Sequence, residues 1–268
     1  MLKQRALSAL VFVPLFLGIA WLGGSYFDIF LALILAFAGF EYDRMLKTDG
    51  YQVSFVLMIG SILTVVSMRI FSSFSTEHFV LMAILAVFGV FALWKYENGD
   101  HLAFLSLVLQ LFGVFYIGFL GAFGITLNHS GTNGNLWVLA TIAIVWLVDA
   151  GAYLIGTRYG KREVLPNLSP KKTLEGFLGG TLVGVVSGLL IGLILNAVLP
   201  ELGPWKGALL GFIMGPVAFF GDALMSLLKR TMGVKDTGKL LPGHGGVLDR
   251  LDSMLWALVF STYFMMLF

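Results

Sequence analysis

Hydrophobic residues in this chain are grouped into nine long stretches, separated by short polar segments. Each stretch has about the 20 residues that an α-helix needs to cross roughly 30 Å of hydrocarbon. Backbone groups inside a bilayer must be hydrogen-bonded within their own segment, so the pattern predicts helices. The stretches cover residues 7–23, 27–43, 53–71, 78–95, 102–127, 136–157, 174–199, 205–228 and 250–268. They predict an all-α polytopic integral membrane protein with about nine transmembrane helices.

Composition supports this class and excludes some kinds of chemistry. The chain has 268 residues, of which 58% are hydrophobic and 12% charged, with a mean hydropathy of +0.92. A soluble domain carries about 25% charged residues. Without cysteine, the chain cannot use disulfides, thiolate catalysis or cysteine-based metal sites. Its basic start resembles a signal peptide, but the apolar run is of full span length, so we expect an uncleaved first helix.

The positions of the basic residues predict the orientation in the membrane. If the N-terminus is cytoplasmic, only Arg69 and Lys206 of the 17 lysines and arginines lie on the opposite side. The cytoplasmic set is Lys3, Arg5, Arg44, Lys47, Lys95, Arg158, Lys161, Arg162, Lys171, Lys172, Lys229, Arg230, Lys235, Lys239 and Arg250. Because cytoplasmic loops carry the excess of positive charge, we predict a cytoplasmic N-terminus and a C-terminus on the opposite side.

The two parts of the chain differ in where their acidic residues lie. Residues 1–130 form an N-terminal region of about five spans, charged mainly at the span ends. Residues 131–268 carry carboxylates within or beside spans and include two cytoplasmic loops, 158–173 and 229–249. These carboxylates are Asp149, Glu175, Asp222, Asp249 and Asp252. Since ionisable groups in a membrane are costly and mark functional sites, we predict a C-terminal catalytic region.

The first polar cluster surrounds the loop 158–173. Asp149 lies nine residues before Arg158, about 13 Å below that basic end of the helix. The loop adds four lysines or arginines and two hydroxyl groups, which could bind phosphates or anionic headgroups. They are Lys161, Arg162, Lys171, Lys172, Ser169 and Thr173. An alternative, strongest for Lys161 and Arg162, is that the cations only satisfy the positive-inside rule.

The second polar cluster surrounds the loop 229–249. Asp222 and Ser226 are four residues apart and share a helical face, and Asp249 and Asp252 are three apart at the start of the last span. Carboxylates from two helix ends could hold Mg²⁺ through oxygen alone, and neighbouring basic side chains would bind the phosphates that the metal bridges.

A structural alternative exists for parts of this second cluster. Asp222 could belong to an ion-pair network that closes the bundle, neutralised by Lys229 or Arg230. His244, in the segment PGHGG, is more often structural than catalytic as a lone loop histidine. A separate feature, glycine at every fourth position from Gly176 to Gly192, predicts close helix packing.

The two clusters together resemble the CDP-diacylglycerol synthases, also called phosphatidate cytidylyltransferases. The resemblance rests on a long interrupted signature and on the upstream segments DAGAYLIGTRYGK and LSPKKTLEGFLGG. The signature residues are Ser226, Lys229-Arg230, Lys235-Asp236, Pro242, His244-Gly245-Gly246, Asp249-Arg250 and Asp252. Ala150, where the family more often has threonine, is a minor departure. The similarity is dense over residues 145–255 and is limited to hydropathy in the first five spans.

The resemblance implies an enzyme that converts CTP and phosphatidate to CDP-diacylglycerol and pyrophosphate. It implies Mg²⁺ and a second cation such as K⁺, with Asp222 and Asp249 as metal ligands. It also implies phosphate contacts from Lys171, Lys172, Lys229 and Arg230. Further metal candidates are Asp149, Asp236 and Asp252; further substrate-binding candidates are Ser169, Thr173, Ser226, Lys235, Lys239, His244 and Arg250.

The expected mechanism is in-line attack of a phosphatidate oxygen on the α-phosphorus of CTP, stabilised by charge and needing no strong general base. The expected location is the cell (inner) membrane, with the site facing the cytoplasm and no nucleic-acid partner. The glycine repeat and the family both favour a homodimer. Two rival functions are a CTP-dependent lipid or polyprenol kinase and an ion-coupled transporter with Asp149 as relay. An ether phosphatidate is an alternative acceptor to the ester, because it would use the same chemistry.

Overall fold

The computed structural model describes residues 13–71, 77–238 and 245–268 of the chain. Its helices follow the apolar stretches closely. They are α1 (Val13–Leu22), α2 (Gly24–Thr48), α3 (Phe55–Phe71), α4 (Glu77–Glu97), α5 (Ala103–Gly113), α6 (Leu120–Asn128), α7 (Gly134–Tyr159), α8 (Leu174–Leu195), α9 (Pro204–Thr231) and α10 (Leu248–Leu267). A π-helical turn, Val114–Phe119, joins α5 to α6. Only the part of the first predicted span from residue 13 onward lies in the described ranges.

In the described part of the chain, six helices are long and apolar enough to cross a membrane by length and composition. They are Gly24–Thr48, Glu77–Glu97, Ala103–Asn128, Gly134–Tyr159, Leu174–Leu195 and Pro204–Thr231. The helices α1 and α3 are apolar but shorter over their described lengths. In α10, the first two turns carry Asp249, Arg250 and Asp252 and lower its hydropathy. The chain is therefore a multi-pass helical protein, and the count of nine spans stays a prediction.

The loop 158–173 contains the two β-strands found within the described residues. Strands β1 (Glu163–Leu165) and β2 (Ser169–Thr173) pair in antiparallel fashion, with Glu163 opposite Thr173 and Leu165 opposite Ser169. Between them, Leu168 N donates to Leu165 O at 3.2 Å across a turn containing Pro166. Proline presets the backbone for such a turn. The basic residues of this loop are consequently held on a hairpin rather than on irregular chain.

The glycine repeat of α8 packs against neighbouring helices of the same chain. Glycines 184, 188 and 192 of α8 lie against the backbone of glycines 211, 207 and 203 at the start of α9. At the other end of α8, Gly176 and Gly180 lie against the α7 backbone around Ala152. Small residues let helix backbones approach closely where lipid gives no hydrophobic driving force. The repeat is thus used inside the chain and gives no support for a homodimer.

Gly188→Ala is expected to destabilise the protein. The added Cβ would collide with the carbonyl oxygen of Gly207, so the two helices would have to separate. Overpacking of this kind costs about 1–3 kcal/mol. We expect a lower thermal unfolding midpoint in detergent. Gly89→Ala in α4 is the matched control because a Cβ there meets no atom within 4 Å. Equal midpoints for the two variants would show that the close approach of α8 and α9 does not stabilise the fold.

Polar contacts collect at two opposite ends of the helical bundle. At one end, Lys95 Nζ donates to Gln52 Oε1 at 2.6 Å, and the hairpin meets the end of α9. At the other end, Asn133 Nδ2 donates to Val198 O at 2.7 Å and Lys206 Nζ donates to Phe268 O at 2.9 Å. Helices α2 and α6 both contact α10, so the predicted N-terminal and C-terminal regions pack against each other. The hairpin end carries the predicted site.

Candidate active site

Three elements converge where the hairpin meets the bundle: strand β2, the C-terminal half of α9 and the first turns of α10. Lys172 Nζ of β2 lies 2.9 Å from Asp222 Oδ2 of α9. Ser226 Oγ, one turn further along α9, donates to Asp222 Oδ1 at 3.3 Å. The Asp222 side chain is 42% exposed, whereas that of Lys172 is 15% exposed. This first pair therefore offers an open carboxylate beside a largely enclosed cation.

The Lys172 ammonium is held by its ion pair with Asp222 Oδ2 and by a neighbouring aromatic ring. It also lies 5.1 Å from the centroid of the Phe219 ring, which favours a cation at its face. A lysine ammonium has three N–H donors. The donors that Asp222 does not use are available to an anionic ligand that enters beside it.

The second pair is more enclosed and organises the loop before α10. Lys229 Nζ donates to Asp249 Oδ1 at 2.7 Å, with side chains 12% and 6% exposed. The other oxygen, Asp249 Oδ2, accepts from the amides of Thr237 and Gly246, each at 2.9 Å. Gly245 has φ +86°, a left-handed conformation that favours glycine. Asp249 thus joins α9 to both described ends of the loop.

A wider group of charges surrounds Asp222. The carboxylates of Asp149 on α7 and Asp252 on α10 both interact electrostatically with it. The basic residues that also act on Asp149 or Asp252 are Lys172, Lys229 and Arg250. The negative charges of interacting carboxylates repel one another, so the arrangement favours a bound cation. Asp252 is buried, whereas the Asp149 side chain is exposed on the surface of α7.

The donor atoms fit a hard divalent ion, although the described residues include no ready cluster of three acidic or histidine side chains around one point. An ionised carboxylate has about four lone-pair sites. Asp222 uses one site on each oxygen, and Asp249 uses one on Oδ1 and two on Oδ2. Each aspartate therefore keeps free acceptor capacity. Oxygen donors of this kind suit Mg²⁺.

The remaining predicted residues differ in placement. Thr173 Oγ1 accepts from Gly176 N at 3.2 Å and caps the start of α8. Ser169 and Lys171 lie on β2, half-buried and exposed respectively. Arg230 is exposed and donates from Nη1 to Val234 O at 3.3 Å. The side chains of Lys235, Asp236 and Arg250 are exposed. Lys239 and His244 lie outside the described residues.

The alternative in which Asp222 forms an ion pair with Lys229 or Arg230 predicted the wrong partners. Asp222 pairs with Lys172 of the hairpin, and Lys229 pairs with Asp249. The hairpin base is fixed separately, because Glu175 Oε2 accepts from the amides of Lys161 and Arg162 at 2.9 and 3.2 Å. An ion-pair arrangement exists at this end of the bundle, but it links the two predicted clusters instead of pairing Asp222 with a basic residue of α9.

Two residues of the N-terminal region reach this site and were not predicted as part of it. Tyr116, in the π-helical turn, directs its hydroxyl at the carbonyl oxygens of Gly221 and Asp252, 3.4 and 3.3 Å away. Glu41 of α2 accepts from Leu248 N at 3.0 Å. The sequence signal for Glu41 was an acidic residue within an apolar stretch. Nothing in the sequence singled out Tyr116, because aromatic residues are common in spans.

The fold and the site define a class: a polytopic helical membrane protein with paired lysines and aspartates at one polar end. The chain belongs to the cytidylyltransferase family, whose sequence model matches residues 3–268. It is 32% identical to the phosphatidate cytidylyltransferase of Synechocystis sp., over 98% of this chain and 96% of that protein. It is 31% identical to the phosphatidate cytidylyltransferase of Bacillus subtilis, over 100% and 98% of the two chains. The Staphylococcus haemolyticus phosphatidate cytidylyltransferase is 29% identical, over 96% of each chain.

Proposed function

We propose that this chain is a phosphatidate cytidylyltransferase, which forms CDP-diacylglycerol and pyrophosphate from CTP and phosphatidate. Similarity to proteins of that name over nearly the whole chain supports the activity. The observation that carries the assignment to this site is the Lys172–Asp222 pair, a largely enclosed ammonium 2.9 Å from a half-open carboxylate. Such a pair can bind an anionic phosphate and a cation side by side.

The reaction joins two anions, so charge stabilisation is the main task of the protein. A phosphatidate oxygen attacks the α-phosphorus of CTP, the new P–O bond forms, and the bond from the α-phosphorus to the bridging oxygen breaks to release pyrophosphate. The phosphate monoester carries about −1.5 to −2 charge at pH 7 and is already nucleophilic. No general base is therefore required. Lys172 and Lys229 would orient the phosphates and stabilise the charge that develops.

Asp222 and Asp249 would hold Mg²⁺, with Asp149, Asp236 and Asp252 as further candidates. When bound, this ion would neutralise charge on the CTP phosphates. A second cation such as K⁺ is proposed from the family alone. The donor set of oxygen atoms and the mutual repulsion of the carboxylates support a cation in this position.

The depth of the site suits one water-soluble and one lipid substrate. Asp222 lies seven residues before Lys229, about 10 Å inside α9. CTP would enter from the aqueous side, whereas phosphatidate would arrive within the bilayer.

We place the site at the cytoplasmic surface of the cell membrane, with nine spans, a cytoplasmic N-terminus and an external C-terminus. The distribution of lysine and arginine supports this orientation. A homodimer is proposed from the family alone.

The absence of cysteine makes this orientation simple to test. A single cysteine at the exposed position of Glu163 should react with a membrane-impermeant maleimide only in vesicles that expose the cytoplasmic face. A cysteine at the exposed position of Thr132, between α6 and α7, should react only from the other side. The opposite labelling pattern would reverse the proposed topology.

Product analysis tests the reaction itself. Purified protein is incubated with phosphatidate, Mg²⁺ and CTP labelled in the cytosine ring, and the lipids are then extracted. We expect label in the organic phase and its loss when a chelator removes the metal. A lipid kinase would instead transfer label only from the γ-phosphate of CTP to an alcohol acceptor. Uptake into sealed vesicles without lipid turnover would indicate a transporter. Either of the last two results would overturn the proposed function.

A further inference from the structure

Glu41 is a buried acidic residue in a helix of the N-terminal region. Its side chain lies on α2 within a predicted apolar span and the residue is only 4% exposed. A carboxylate in such a position is costly unless it is hydrogen-bonded. Among the described residues, its hydrogen-bond donors come from the C-terminal region: Thr237 Oγ1 at 3.3 Å and Leu248 N at 3.0 Å. Its stabilising contacts therefore depend on the loop that precedes α10.

One of these contacts caps the helix that carries Asp249. The first backbone N–H groups of a helix have no partner within the helix and favour a negative charge nearby. The residue before α10, Val247, provides no side-chain cap. Glu41 Oε2 supplies the acceptor instead, at Leu248, the residue immediately before Asp249. A side chain from a different helix thus fixes the start of α10.

Glu41 and Asp249 hold the same loop residue from two sides. The amide of Thr237 donates to Asp249 Oδ2, and its hydroxyl donates to Glu41 Oε2. The Glu41 carboxylate also lies directly against two glycines. A Cβ added at Gly238 or at Gly246 would collide with it. The loop is therefore tied to α2 both where it leaves residue 238 and where it enters α10.

We propose that Glu41 is a positioning residue of the active site, one that acts through Thr237 and Leu248 to hold Asp249 in place. This inference rests on the proposed function for its effect on turnover. It needs no direct contact between Glu41 and a substrate or metal. It assigns to the N-terminal region a role in catalysis, because the carboxylate that orders the metal-binding loop is contributed by α2.

Glu41→Gln is the primary test because it preserves the shape of the side chain. Both donors converge on Oε2, so glutamine can keep a carbonyl oxygen there but loses the negative charge that strengthens the two hydrogen bonds, and its amide nitrogen takes the place of Oε1 against Gly238. We expect faster hydrogen exchange of the Leu248 and Gly246 amides, measured by mass spectrometry on peptides covering 245–251. We also expect turnover to fall about tenfold and the half-maximal Mg²⁺ concentration to rise, as for other groups that orient metal ligands.

Asp43→Asn is the matched control. Asp43 is equally buried on the same helix, but its ion-pair partner is Lys47 of that helix, 2.7 Å away. Its substitution should leave exchange in 245–251 and the Mg²⁺ dependence unchanged. Thr237→Val removes only the hydroxyl contact and should give a smaller change in the same direction as Glu41→Gln, and Thr237→Ser should restore normal behaviour. These two substitutions of Thr237, in the loop itself, keep the proposal testable if Glu41→Gln folds poorly.

The two readouts separate the possible failures. Hydrogen exchange requires no turnover, so the contact of Glu41 with the loop can be tested even if no CDP-lipid forms. Unchanged exchange in Glu41→Gln, or an equal change in Asp43→Asn, would overturn the proposal. Faster exchange with normal turnover and normal Mg²⁺ dependence would also overturn it, because the contact would then stabilise the loop without positioning the site.

Discussion

Asp222→Asn should abolish formation of the CDP-lipid while the protein remains folded. Asp222 is the most exposed carboxylate of the two ion pairs, and each of its oxygens accepts only one contact. Asparagine keeps the size of the side chain but loses the charge that would hold a divalent ion. Removing a group that stabilises charge at the reacting centre typically costs about 10³-fold in rate. We expect a loss of that order in product formed from labelled CTP.

The cost of this substitution to stability should be small. The Asp222 side chain is 42% exposed, and partly exposed ion pairs contribute about 1 kcal/mol or less. The thermal midpoint in detergent should therefore stay close to that of the unaltered protein. Asp49→Asn is the control, since Asp49 is an exposed carboxylate at the end of α2 whose hydrogen bonds, among the described residues, are backbone contacts within that helix end. Normal turnover in Asp222→Asn would remove Asp222 from the proposed metal site.

The helices could be predicted because the membrane leaves the backbone little choice. Each predicted apolar stretch is helical over its described residues, because only internal hydrogen bonding satisfies the backbone in lipid. The hairpin was missed because its charged residues were interpreted only as ligands or as positive-inside charge. Its turn carries proline and asparagine at 166 and 167, which are common turn residues. The sequence therefore contains a local signal for the turn of this hairpin.

The structure brings several of the predicted residues together, but the sequence did not predict which of them pair. Spacing along α9 suggested Lys229 or Arg230 as the neighbour of Asp222, because local spacing shows only contacts within one helix. The observed partner, Lys172, comes from the hairpin. The contact of Glu41 with Leu248 joins residues 207 positions apart. Such pairings follow from how the helices pack, which no local pattern encodes.

Asp249→Asn should also abolish activity, but it should destabilise the protein as well. Asp249 is 6% exposed at its side chain and accepts from Lys229, Thr237 and Gly246. An asparagine must turn its amide group either toward the Lys229 ammonium or toward the two backbone donors. Breaking a buried ion pair by changing one partner costs about 3–5 kcal/mol. We expect a clearly lower thermal midpoint than for Asp222→Asn, which distinguishes the two aspartates.

A double variant separates the structural role of Asp249 from its catalytic one. Lys229→Met removes the ammonium that the single Asp249→Asn variant leaves without its carboxylate partner. Because the two side chains are in contact, their effects on stability should not be additive. The double variant should regain part of the lost thermal midpoint while remaining inactive, since stability returns without the charge that binds the metal. Recovery of turnover together with stability would instead show that Asp249 serves only to hold the loop in place.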